Sequence, residues 1–109
     1  MSVAVLIDYI DEAAAVAGGV RDYLPVATSR LFSVYWLPAA RDLDCAWIPQ
    51  FETGADVPLA DLPAVIEEFR RVRDYFQRHP TSPVAERSRW LVDELERLDP
   101  STIAELYIG

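Results

Sequence analysis

The sequence predicts one α+β domain over residues 1–109, a ferredoxin-like sheet in the order β-α-β-β-α-α-β with helices on one face. Two segments in the C-terminal half carry apolar residues at helical spacing, and four others are short apolar or aromatic runs of strand length. The chain is 51% apolar over 109 residues, which sets it apart from disordered sequences. A domain of this size buries very roughly two thirds of its unfolded surface, enough for a core without disulfides or a structural metal.

Ser2 to Ile7 is a continuous apolar run with Val3, Val5 and Ile7 in alternation, read as a first strand covered on both faces if central. From Ile10 the residues Ala13, Ala14, Ala17, Val20 and Leu24 follow at helical spacing. Asp8 or Asp11 is available as N-cap, Gly18 and Gly19 weaken the helix, and Pro25 closes it. Arg30 to Leu37 (RLFSVYWL) is predicted as a second strand with Phe32, Val34 and Trp36 on one face. Leu43 to Phe51 is predicted as a third, hairpin-paired with the second, Pro49 marking an edge or bulge. Glu52 to Ala60 has the composition of a loop.

A helix starts near Asp61. Leu62, Val65, Ile66, Phe69, Val72 and Phe76 form its apolar stripe, and Pro63 sits in the first turn, where a missing N–H costs little. Ser82 and Pro83 start a second helix with the stripe Ser88, Leu91, Val92, Leu95 and Leu98, antiparallel to the first across a short joint at His79. Thr102 to Ile108 is the last strand.

The formal charge is −8, from 18 acids and 10 arginines. It argues against binding nucleic acid or an anionic membrane surface through charge. Residues 1–69 hold 11 acids and 3 arginines, and residues 70–109 hold 7 of each, so the excess lies wholly in the first part. Between Asp42 and Phe69 there are seven acids and no basic residue. The expected partner-binding face combines Asp42, Asp44, Glu52, Asp56 and Asp61 with the aromatics Tyr35, Trp36, Trp47 and Phe51. Aromatic anchors among charges of one sign suit docking on a basic partner, the charges speeding encounter and the rings supplying affinity. A plainer arrangement is also open, in which the acids solvate loops and Trp47 and Phe51 point into the core.

No catalytic residue, metal site or cofactor is expected. His79 precedes Pro80 at a helix end and reads as a cap or exposed joint. Cys45, the lone cysteine, reads as a small buried hydrophobe, and its being alone fits a reducing compartment. Asp8, Asp11 and Glu12 are more simply helix-capping than cation-binding, and no glycine loop for phosphate or dinucleotide occurs. Arg70, Arg71 and Arg73 read as intrahelical partners of Glu67 and Glu68. The N-terminus lacks a basic flank before its short apolar run, and no run approaches the roughly 18 apolar residues of a membrane span, so a cytoplasmic protein is expected.

The small size, the acidic aromatic segment and the helix VPLADLPAVIEEFRRVRDYF (Val57 to Phe76) resemble the small acidic immunity proteins of bacterial polymorphic-toxin systems. The resemblance implies a cytoplasmic inhibitor that covers the active site of a cognate basic toxin, a nuclease or deaminase, and it carries over no individual residue. The alternative expectation is a dimeric ferredoxin-like domain, monooxygenase-like or ligand-sensing, with a small-molecule pocket lined by Phe32, Tyr35, Trp36 and Tyr107.

Overall fold

The computed structural model describes residues 1–19, 21–78 and 82–109. The joint predicted at His79 lies outside them. The α+β class holds, with a four-stranded antiparallel sheet, but the ferredoxin-like order does not. The strands are β1 (Ser2–Tyr9), β2 (Tyr23–Thr28), β3 (Ala55–Asp56) and β4 (Ile103–Ile108), arranged β2-β1-β4-β3. β1 and β2 are direct antiparallel neighbours joined through the short helix α1 (Glu12–Ala17), whereas a split βαβ unit needs a crossover between parallel strands.

α1 forms where Asp11 caps it: the Asp11 carboxylate accepts from the Ala14 N–H at 2.8 Å. It ends at Gly18, well before Leu24. Leu24 and Val26 belong instead to β2 and are buried in the core. Pro25 is tolerated because β2 is an edge strand, and the register with β1 shifts beside it.

The largest departure is at residues 30–51, where the predicted hairpin is helical. Residues 29–42 form one continuous helix, α2, in three segments: α-helical Ser29–Leu31, π-helical Phe32–Trp36 and α-helical Leu37–Asp42. Thr28 caps it, its hydroxyl accepting from the Leu31 N–H at 3.2 Å. The alternation that suggested a strand fails at Val34, which is 53% exposed, while Phe32 and Trp36 are buried four residues apart on one helical face. The π segment ends two residues before Pro38, whose ring would press on the Val34 carbonyl in a regular helix.

The supposed third strand is a turn leading into a 3-10 segment, Ile48–Glu52, with Pro49 in its first turn. The segment read as loop contains β3, which pairs Ala55 with Ile108 and Asp56 with Tyr107. Helices α3 (Leu62–Gln77) and α4 (Ala85–Glu96) match the predicted periodicity, with every predicted stripe residue buried except the half-buried Ile66 and Leu98. They run antiparallel. Gln77 at the end of α3 donates to the Ala85 carbonyl at the start of α4, and Arg70 in the middle of α3 reaches Glu96 at the end of α4, 3.4 Å.

The helices cover one face of the sheet. Val3, Val5, Ile7, Leu24, Val26, Leu106 and Ile108 point into the shared core, while Leu6, Tyr23 and Tyr107 stand exposed on the other side. β1 is therefore central yet covered on one face only. Trp36 sits at the middle of the core, 5.8 Å from Phe69 and 5.2 Å from Phe76 in edge-to-face contact, and stacked with Phe32 at 6.3 Å.

Candidate partner-binding face

The acidic segment is built around one buried carboxylate. Glu68, on the inward side of α3, accepts backbone N–H groups from Ala46 (3.2 Å), Trp47 (2.9 Å) and Ile48 (3.0 Å). These are donors at the start of the 3-10 segment that have no partner within it, and the charge suits that end of a helical turn. Glu68 is thus an internal clamp between α3 and the Asp44–Glu52 turn, not the surface partner of Arg71. Arg71 instead donates to the Leu43 carbonyl at 2.5 Å. Glu67 pairs with Arg70 at 3.3 Å, as the helical spacing indicates.

The nine residues expected to form the face separate into two groups. Trp36 and Phe51 are fully buried, which corrects their assignment as docking anchors: both are core aromatics. Phe51 lies parallel to Phe69 at 6.0 Å, and Trp47 stacks on Phe51 at 6.3 Å. Half-buried Trp47 is therefore the outer end of an aromatic column that runs through Phe51 and Phe69 to Trp36. Tyr35 is half-buried and lines a shallow cavity with Val34, Pro38, Tyr75 and Phe76.

Among the acids, Asp42, Asp44, Glu52 and Asp56 are exposed and Asp61 is half-buried. Asp42 accepts from the Tyr75 hydroxyl at 3.0 Å, which raises the Tyr75 pKa above its ordinary value. Glu52 accepts from the Ser33 hydroxyl at 3.2 Å. Asp44 adopts a left-handed backbone, φ 55°, at the bend after α2, a conformation aspartate tolerates better than most residues. Asp61 precedes α3 at the cap position, but its side chain accepts no capping hydrogen bond. Among the described residues none of these five acids forms an ion pair. The paired acids, Glu67, Asp74, Glu94 and Glu96, all lie in α3 or α4.

Cys45 is buried beneath this turn, and burial, reinforced by the Glu68 carboxylate, pushes its thiol up to about 11. A raised thiol pKa means the folded protein keeps a proton that the unfolded chain releases near 9.0, so this group favours folding below that pH and loses its contribution as pH rises toward 11. At pH 8 Cys45 is therefore expected to react with a disulfide reagent many times more slowly in the native protein than in denaturant, measured by thiolate release. Comparable rates would show that the turn opens readily.

Phe32 and Trp36, expected to line a small-molecule pocket, are core residues, and Tyr107 projects from the uncovered sheet face. No helix among the described residues is long and apolar enough to cross a membrane. No family model, curated protein or solved structure matches the chain.

The sequence did not reveal the Glu68 clamp or the pairing of Asp56 with Tyr107, and it left the burial of Phe51 as one of two readings. A glutamate on the apolar side of the α3 pattern, between Val65 and Phe69, was the available signal for the first.

Proposed function

We propose that this chain is a non-enzymatic interaction protein, an immunity-type inhibitor that binds and neutralises a cognate basic toxin domain of the nuclease or deaminase class. The observation that carries the reading is the set of acids at 42–61 that stays free of ion pairs among the described residues, although the chain contains ten arginines. Self-repulsion among like charges opposes the compact state, and a basic partner turns that repulsion into attraction. The Glu68 clamp holds the Asp44–Glu52 turn in place before any partner arrives, which lowers the ordering cost of association.

Coexpression tests this reading. The product of the adjacent gene, expressed alone, should arrest growth, and coexpression with this chain should restore it. Replacing Asp42 and Asp44 together by lysine should slow association by about tenfold at low salt, measured by stopped-flow fluorescence. A harmless neighbouring product, or arrest that this chain does not relieve, would overturn the immunity reading.

A further inference from the structure

The strands contain no basic residue, and their acids Asp8, Asp56 and Glu105 lie on the face that the helices leave bare. Strand register aligns Tyr23, Leu6, Tyr107 and Asp56 in one row across all four strands. In that row Tyr23 is 52%, Leu6 41% and Tyr107 36% exposed. On the same face Asp8 stands directly opposite Glu105. Like charges facing each other across an antiparallel pair weaken a sheet, so this pair has no use in the isolated fold.

Two glycines make room for the largest contact in the row. The Tyr107 ring lies against Gly54 and Gly109, where a Cβ on either would overlap its hydroxyl, and Gly54 has φ 99°. At Gly54 the backbone requires glycine, and the missing Cβ there and at Gly109 leaves the space that the Tyr107 ring occupies. A second copy of this chain would bring the same acids and the same charge of −8 to the face, so charge complementarity selects a basic occupant.

We propose that this uncovered sheet face docks a basic polypeptide, with Leu6, Tyr23 and Tyr107 as apolar anchors and Asp8, Asp56 and Glu105 facing its arginine or lysine side chains. The proposal rests on the interaction reading above and moves the principal contact from the Trp47 turn to the sheet, with Asp56 joining the two.

The test is amide chemical-shift mapping of the full chain titrated with a peptide alternating arginine and leucine, and with a glutamate–leucine peptide of equal length. The arginine peptide should shift Leu6, Asp8, Tyr23, Asp56, Glu105 and Tyr107 most, and the acidic peptide should shift none of them. Leu6→Ser with Tyr107→Ser should weaken binding at least about fivefold. Glu105→Gln should weaken binding while raising Tm, which separates a docking role from a merely structural one. Shifts centred on Asp42 to Glu52 would overturn this face while leaving the basic-partner reading standing. Absence of binding to the arginine peptide would count against both, and concentration-dependent dimerisation through Tyr107 would replace the basic occupant with a second copy.

Discussion

Trp36→Ala is expected to destabilise the protein by about 3–5 kcal/mol, the range for truncating a fully buried large aromatic. Such a loss approaches the whole stability of a typical domain of this size. Trp36 touches Phe32, Phe69 and Phe76, so its removal opens a void where α2 meets α3. Two companion variants make the result diagnostic. Trp36→Phe keeps an aromatic ring in the core and discards the indole N–H, which is buried with no hydrogen-bond partner among the described residues, so it should cost much less. Val34→Ser should change stability by less than about 0.5 kcal/mol, because Val34 faces solvent on α2. If residues 30–37 were a strand, Val34 would share the face of Phe32 and Trp36, and its replacement would be costly. Chemical denaturation of the three variants therefore reports both the core and the secondary structure of this segment.

Glu68→Ala should cost about 2–4 kcal/mol, because it strands the N–H groups of Ala46, Trp47 and Ile48 that the carboxylate now satisfies. For a domain of this length that lowers Tm by roughly 10–20 °C. Glu68→Gln retains one acceptor oxygen and should lose about half as much. Glu67→Ala, one residue earlier on the exposed side, removes only a solvated pair with Arg70 and should stay within about 0.5 kcal/mol. Equal effects at 67 and 68 would mean that the clamp contributes nothing. The Glu68 variant should also speed the reaction of Cys45 with thiol reagents, since the same turn covers both side chains.

What was legible in the sequence follows from which forces are local. α3 and α4 were readable because a 3.6-residue stripe with proline near each start depends only on neighbours in the chain. β1 and β4 were readable from their short apolar runs. Residues 30–37 misled because β-branched and aromatic residues favour strands by propensity, while packing of Trp36 on Phe69 and Phe76 settles the matter at long range. β2 was hidden by Pro25, which reads as a stop unless the strand is known to be an edge.

The candidate site divides in the same way. The unpaired acids were visible from charge counting, since an arginine-free stretch has no local ion-pair partner to offer. The burial of Trp36 was not visible and that of Phe51 was left as one of two readings, because each depends on which helix the ring meets. The sheet row was hidden for a further reason: Tyr23 aligns with Leu6 and Tyr107 only once β2 is placed beside β1.

The proposed role of the acid excess is recognition of a basic protein. Its most direct measurement is the association rate with the adjacent gene's product as a function of ionic strength, from about 0.01 M to about 1 M salt. A rate that falls by about tenfold or more across that range, with dissociation little changed, is the predicted result. A complex whose association rate is independent of salt would contradict it.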